Sequence, residues 1–361
     1  MAHYIFPKSE KRCKIIIVNE KFHIRSKGSL SVLRPINNIA VFVHAACEYG
    51  INPQTILAGS GIKMSDLDDP HRIITTAQEI MIGRKLAQLA PAHISGLDLG
   101  PHHHLISKGK LGMAAMCCET ALDALKMMIT YIDLTSSYFQ YDLTVDGKKG
   151  CVRMRELASL DDFRLYIFET EIVSLYTMCS MITDDVHIFN EIRVAFPAPD
   201  YAARYKEIFH CPVVFNAPEH LMMFDATLLN KPLKHANSLT KKVLEQECRQ
   251  LCERLNENAT VKDKIRHELL FVEGDFPTLD QLAHRINIPE RTIRRKLTAE
   301  GTSYKDILSE IRKQKSLELI AVGDCSMEKI ASILGYSDVT SFYHAFKTWT
   351  GKTPANYRKK S

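Results

Sequence analysis

Apolar residues recur at helical spacing over most of this chain, and in one interval the period drops to two. From Pro35 to Pro91 the rhythm is helical. Ile36, Ile39, Val43 and Ala46 share one face, and Pro53 to Ala58 and Thr76 to Leu89 read as two further helices. Leu111 to Leu134 is denser, with Ala121, Leu122, Leu125, Met128 and Ile129 facing one way. Between Ser136 and Ile172 the pattern changes. Tyr138, Gln140, Asp142 and Thr144 alternate with Phe139, Tyr141, Leu143 and Val145, Asp146-Gly147 is a hairpin turn, and Cys151-Val-Arg-Met-Arg returns as the partner strand. Glu169 to Ile182 is helical again, and Ile188 to Phe196, Val213 to Phe215 and Leu221 to Phe224 are strands broken by prolines. A last helix runs from Ser238 to about Leu255, before the polar run Asn256-Glu-Asn-Ala-Thr260. The mixture predicts an α+β domain.

Beyond it the pattern is helical throughout and is written twice. Leu279, Leu282, Ala283 and Ile286 give one apolar face, Asn287-Ile288 turns, and Pro289 to Leu297 forms a second helix. Ile330, Ala331 and Leu334 repeat the first helix, Gly335-Tyr336 the turn, and Phe342 and Phe346 the second helix. Leu282 to Ile330 and Ile286 to Leu334 are both 48 residues, and Ile293 to Phe342 is 49. Each copy is a helix-turn-helix unit, whose second helix is of the kind that enters a major groove. Ala283 and Ala331 suit a close helix crossing. Gly335 tolerates the positive φ of such a turn and Asn287 is the next most tolerant choice. Thr278, Ser326 and Ser337 are the expected N-caps. Ser303 to about Ala321 reads as one connecting helix with Tyr304, Ile307, Leu308, Ile311, Leu317 and Ile320 inward. About 18 helical residues would span about 27 Å, near the roughly 34 Å between successive groove faces on one side of B-DNA. Arg291, Arg294 and Arg295 project together from the first copy, with few acids to pair them, and suit phosphates and guanine edges.

The run Ile330-Ala331…Leu334-Gly335-Tyr336-Ser-Asp338…Ser341-Phe342…Ala345-Phe346-Lys347…Trp349-Thr350-Gly351…Pro354…Tyr357-Arg358 resembles the signature of AraC-type transcription regulators. Pro289 to Tyr304 resembles the ornithine-utilisation-regulator-like branch. Gly109-Lys-Leu-Gly112-Met-Ala and Thr120-Ala-Leu-Asp-Ala-Leu resemble, more loosely, the sensor domain of that branch, an arabinose-binding-like domain. The resemblance implies a sequence-specific regulator, usually an activator answering to a small-molecule effector. RNA polymerase and a second copy of the chain, bound through the sensor domain, are its expected protein partners. Carried over by position, Arg291, Arg294 and Arg295, flanked by Thr292 and Lys296, serve one major-groove segment of double-stranded DNA. Thr340, Ser341, Tyr343, His344 and Lys347 serve the next. Ile293, Leu297, Phe342, Phe346 and Trp349 are expected in the core. Two positions depart from the branch, which usually has Ser at Pro289 and often a basic residue in place of Tyr343-His344.

Composition sharpens this picture at one point. The net charge is +5; Val261 to Ser361 holds 18 Lys+Arg against 13 Asp+Glu, and the rest of the chain holds 29 of each. All the excess positive charge therefore lies in the twin-motif segment, as a domain addressing a polyanion requires. The domain organisation expected is a flexible basic arm over 1–30, a sensing and dimerisation domain over 31–255, a linker over 256–262, and an all-α DNA-binding domain over 263–361. Its two helix-turn-helix motifs span about 278–299 and 326–349, joined by the long helix.

Other chemistry is thin. No signal peptide, no run of 18 apolar residues, and ten scattered cysteines predict reduced cytosolic thiols with no membrane span. No glycine-rich phosphate loop, nucleophile elbow or metalloprotease spacing occurs, so no enzyme, cofactor or catalytic residue is assigned. Adjacent carboxylates such as Asp161-Asp162 and Asp184-Asp185 point apart. His102-His103-His104 reads as an exposed loop, Asp66, Asp68 and Asp69 as loop and cap residues, and Cys248 and Cys252 as one helix face without zinc. The alternatives to an effector-controlled regulator are the same regulator with a metal or thiol signal, or an enzyme binding nucleic acid incidentally. Met113, Met116, Met127, Met128, Met178, Met181, Met222 and Met223 give the first domain an adaptable apolar interior, attractive as an effector cavity, though no single one is assigned to a ligand.

Overall fold

The computed structural model describes residues 13–18, 21–26, 31–91, 93–135, 138–157, 160, 163–270, 272, 274–322 and 325–358. It divides into two compact units, Met1–Asn258 and Ala259–Ser361.

The first unit is built on a seven-stranded sheet. Its strands are β1 (Cys13–Val18), β2 (Lys21–Ser26), β5 (Phe139–Asp146), β6 (Lys149–Glu156), β7 (Glu191–Arg193), β8 (Val213–Val214) and β9 (His220–Asp225), ordered β1-β2-β5-β6-β9-β7-β8. All neighbours are antiparallel except β7 and β8, which are parallel. A small second sheet pairs β3 (Leu33–Pro35) with β4 (Ile73–Thr75). The expected hairpin closes with Asp146 opposite Lys149 and Gly147 at φ +58°, the first-loop-position geometry of a type II′ turn. The expectation of a flexible arm over residues 1–30 is corrected where the chain is described. β1 and β2 are sheet strands, because Cys-Lys-Ile-Ile-Ile-Val is rich in β-branched residues and β5 offers β2 a ladder of partners. Residues 1–12 and 27–30 lie outside the described residues.

The helices of this unit are α1 (Asn37–Glu48), α2 (Pro53–Leu57), α3 (Met64–Leu67), α4 (Thr76–Leu89), α5 (Gly96–Leu99), α6 (Lys110–Met116), α7 (Ala121–Thr130), α8 (Arg164–Thr183), α9 (Ala203–Phe209) and α10 (Ser238–Asn258). One core gathers α1, α2 and α4 around Val43, Ala46, Ile56, Ile74 and Ile82. On the sheet, the α8 residue Phe168 meets Phe139 edge-on at 5.8 Å. By length and composition α8 could cross a membrane, but it carries Glu169 and Glu171, and Ile167, Phe168, Ile172 and Val173 are buried, as in a core helix. Glu169 is satisfied by protein alone: its carboxylate accepts from Tyr201 at 2.9 Å, Tyr205 at 2.6 Å and the Gly96 amide at 3.0 Å. Asp66 and Asp69 cap turns, accepting from the amides of Lys63 and His71 at 2.9 Å each.

The histidine trio corrects its reading. His103 is buried, with Nε2 3.0 Å from Asn38 Oδ1, while its two neighbours are only half-buried. Adjacent side chains on a turn point apart, so one of three can enter the core while its neighbours face outward. The methionines also sort unevenly. Only Met128 and Met178 line the apolar cavity between α7, α8 and the sheet; Met127 and Met222 are ordinary core, and Met113 and Met181 are exposed.

The second unit holds α11 (Val261–Leu270), α12 (Leu279–Ile286), α13 (Glu290–Ala299), α14 (Tyr304–Val322), α15 (Met327–Ile333), α16 (Val339–Thr350) and α17 (Pro354–Arg358). The expected linker is mostly helical, since α10 runs to Asn258 and α11 starts at Val261. Thr260 caps α11: its hydroxyl accepts from the Asp263 amide at 3.1 Å and donates to that carboxylate at 2.8 Å. Polar Asn and Glu there are the solvated end of a helix rather than a coil.

Two cores form along α14. Ile307 and Ile311 join Val261, Ile265, Leu282, Ile293 and Leu297; one end further on, Ile320 joins Ile330, Ala331, Leu334, Phe342 and Phe346. The turns of the two motifs match bond for bond. Asn287 and Gly335 take φ +52° and +69°, and the next amides, Ile288 and Tyr336, donate back to the carbonyls of Ala283 at 3.1 Å and Ala331 at 2.9 Å. This is the helix-ending bond of a Schellman motif, twice. Gly335 carries a further constraint: a Cβ there would lie 2.1 Å from the Gly274 carbonyl oxygen.

Trp349 is the chain's one tryptophan and lies in the second unit, so its fluorescence follows unfolding of that unit within the full-length protein. In urea titrations read this way, Gly335→Ala is expected to lose about 3 kcal/mol, from left-handed strain plus the clash. Phe342→Ala is expected to lose about 3–5 kcal/mol as a cavity-forming change in the second core. A loss under about 1 kcal/mol in either variant would contradict the packing described.

Candidate nucleic-acid interface

The outward faces of α13 and α16 follow from which residues the two cores take. Ile293 and Leu297 bury the inner face of α13, leaving Arg291, Arg294, Arg295 and Lys296 exposed and Thr292 half-buried at the edge. Phe342 and Phe346 do the same for α16, leaving Thr340, Ser341, His344 and Lys347 exposed. Tyr343 is half-buried, edge-on to Phe342 at 6.1 Å, and belongs partly to the second core. The ten expected contact residues thus fall on two helix faces, with Tyr343 and Thr292 at the margins.

Each helix start sets the direction of its first turn. Thr278 and Gln281 form a capping box on α12, and Ser326 caps α15. On α16 the expectation of Ser337 is corrected: Asp338 is the N-cap. Its carboxylate accepts from the Ser341 amide at 2.8 Å and from the Ser341 hydroxyl at 2.8 Å, and Ser337 only donates to it at 3.1 Å. A carboxylate outbids a hydroxyl because it accepts both bonds and adds charge at the positive helix end. These bonds hold the Asp338 carboxyl below the usual carboxylate range. They also commit the Ser341 proton, so its oxygen faces a ligand chiefly as an acceptor. Pro289 stands at the N-cap of α13, with no side-chain cap of its own, and its carbonyl receives the amides of Thr292 at 2.8 Å and Ile293 at 3.0 Å.

The arginine trio is not uniformly free. Arg294 Nε donates to Glu290 Oε1 at 2.7 Å, and its Nη2 lies 2.6 Å from the same oxygen. Arg291 and Arg295 make no ion pair among the described residues. The four-residue spacing of Glu290 and Arg294 was visible in the sequence, and it amends the view that acids are scarce on this face.

Arg312 was missed. It sits in the charged run Ile311-Arg-Lys-Gln-Lys315 of the connecting helix, to whose polar residues the sequence pattern assigns no role. In the structure its guanidinium stacks 5.0 Å from the Phe276 ring centre and 4.7 Å from that of Tyr336, and donates to the Gly335 carbonyl at 3.2 Å. Phe276 leads into the first motif and Tyr336 ends the turn of the second, so one cation is clamped between the two. The Gly274 amide donating to the Ile333 carbonyl at 2.8 Å and Lys315 Nζ donating to the Val272 carbonyl at 2.9 Å tie the same junction. Trp349 is likewise more than core: it is half-buried, and its indole N–H donates to Ser309 on α14 at 2.8 Å. The signal that could have found Arg312 is its place at the midpoint of α14, between the apolar residues of the two halves.

Comparison with known proteins agrees with this anatomy. Residues 50–233 match the arabinose-binding N-terminal domain of AraC transcription regulators, and residues 282–360 match a helix-turn-helix domain model. The chain is 26% identical over 329 residues to the ornithine utilization regulator of Pseudomonas aeruginosa, covering 91% of this chain and 96% of that protein. It is 25% identical over 334 residues to an HTH-type transcriptional regulator of Mycobacterium tuberculosis, covering 91% and 97%. Among solved structures, the transcriptional regulator CdpR of Pseudomonas aeruginosa aligns over 78% of this chain and 97% of its own, at 22% identity and a TM-score of 0.39. With a sensor-domain match over half its length and the paired helix-turn-helix unit behind it, the chain belongs to the AraC-type family of transcription regulators.

Proposed function

We propose that α13 and α16 enter successive major-groove segments of one DNA duplex. Arg291, Arg294 and Arg295 with Thr292 and Lys296 contact the first segment; Thr340, Ser341, Tyr343, His344 and Lys347 contact the next. The observation that carries this is the single helix α14 shared by both cores. Its 19 residues span about 28 Å at 1.5 Å per residue, close to one turn of B-DNA. Residues 31–255, within the first unit, sense a small molecule and pair two copies of the chain, and the DNA-bound regulator activates transcription through RNA polymerase in the cytoplasm. A thiol or metal signal has less support. Burial pushes the thiols of Cys118 and Cys248 up to about 11 and that of Cys179 up to about 12, which keeps them protonated and unreactive. Among the described residues no three His, Cys, Asp or Glu gather as a metal site would need.

The direct test selects genomic fragments with the purified full-length protein and titrates salt on the best site. The expected result is two sequence blocks about one helical turn apart. Binding that ignores sequence, with or without cell extract supplying the effector, would sink the two-segment reading. Arg294→Ala should cost about 1–3 kcal/mol on that site and relax selectivity at one base step. A variant that keeps the wild-type preference at every position would remove Arg294 from base readout. Glu290→Gln releases Arg294 and should tighten binding about threefold while steepening the dependence of log K on log salt by about one unit. An unchanged slope would mean that Arg294 meets no phosphate.

A further inference from the structure

We propose that the cavity between α7, α8 and the sheet is the effector site, and that it takes an uncharged amphipathic molecule: an apolar body with one hydroxyl- or carbonyl-type head beside Lys108. This rests on the reading of the chain as an effector-controlled regulator and adds the place and the chemical class.

The cavity measures about 140 Å³. Protein cores seldom hold a void much larger than one water, so a space of this size asks for an occupant. At roughly 10–15 Å³ per water-sized group it admits about ten non-hydrogen atoms. Leu125, Met128, Ile129, Leu175, Met178 and Phe224 make the walls apolar, and two methionines among them can adjust to the shape of a guest.

The polar residues that line the cavity have their donors and acceptors already allocated. Thr135 and Thr183 line the cavity and donate their hydroxyl protons to the carbonyls of Ile132 and Cys179 at 2.8 Å each, so towards a guest they offer oxygen lone pairs. Tyr141 donates to Glu171, another lining residue. Lys108 is buried, its Nζ 3.0 and 2.6 Å from the two ring nitrogens of His103. Asn38 turns its oxygen to His103 Nε2, while its own amide donates to the Leu134 carbonyl at 3.2 Å. Burial and the neighbouring Lys108 hold His103 neutral, and burial brings Lys108 down to about 8.

Charge decides the class of guest. Lys108 feels the carboxylates of Glu171 and Glu79 and the guanidinium of Arg34, and Arg34 and Glu79 pair at 2.8 Å in the same interior. Among these four groups two cations face two anions. A carboxylate guest would add an uncompensated negative charge beside Glu171, and an ammonium a positive one beside Lys108. A neutral head that accepts from Lys108 leaves the balance intact.

Calorimetric titration of full-length protein with 1-octanol, octanoate and octylammonium at pH 7 tests this. Octanol should bind one-to-one and at least tenfold more tightly than either charged analogue. Glu171→Gln removes one of the two carboxylates that Lys108 feels and should raise octanoate affinity at least tenfold over wild type. Val152→Trp, at a lining position on β6, should abolish octanol binding while circular dichroism and operator binding stay at wild-type values; if it fails to fold, Glu171→Gln alone decides. No binding by any of the three, an ion bound as tightly as octanol, or octanol bound equally by a folded Val152→Trp protein would each overturn the site or its class. Octanol binding that leaves operator affinity unmoved would support the site and overturn effector control.

Discussion

A helix that belongs to two hydrophobic cores at once cannot let either move without breaking apolar contacts of the other. That is the situation of α14, whose Ile307 and Ile311 are buried among the residues of the first motif and whose Ile320 is buried among those of the second. The guanidinium of Arg312, between the Phe276 and Tyr336 rings, closes the gap between those cores with a charge that stays partly solvated and still packs on both faces. The placing of the outward face of α13 relative to α16 depends on this bracing. A reading helix is useful only if its partner arrives in register one groove away.

How far this was legible in the sequence depends on the range of the interaction. The twin motifs, their turns and the extent of α14 were readable because each rests on local periodicity or on a backbone preference of one residue, as at Asn287 and Gly335. The inner residues of α13 and α16 followed from the same spacing. What the sequence concealed lay in competitions between neighbours and in long-range partners. Asp338 displaced Ser337 as a cap because both were available and only the geometry chose. Arg312 drew no notice because its two rings lie 36 residues before it and 24 after it.

The first unit was harder to read, for the same reason. Its hairpin and the inner face of α1 are local, and emerged; on α7 the buried residues are Ala121, Ala124, Met127 and Ile129, so of the expected face only Ala121 and Ile129 are core. The place of β1 and β2 in the sheet depends on β5, more than a hundred residues away, and basic residues disguised the pattern. His103 entered the core through contacts with Asn38 and Ser174, neither of which announces a buried histidine. The cavity-lining residues come from α7, α8, β5, β6, β9 and the segments that connect them, so only the assembled unit could separate Met128 and Met178 from six other methionines.

The ion pair between Glu290 and Arg294 has a consequence for how such a protein finds its address in a genome. Random DNA attracts through phosphates alone, and the strength of that attraction sets how long the protein lingers at each wrong position. If α13 reads DNA as proposed, a carboxylate that travels with it would act as a tethered counter-ion: Arg294 would have to give it up at every site, and only a matching base edge would return more than the pair did. Residence on irrelevant sequence would be shortened while residence on the right one was spared. On that reading the acid next to the arginines would work as a kinetic filter, trading some total grip for a faster search.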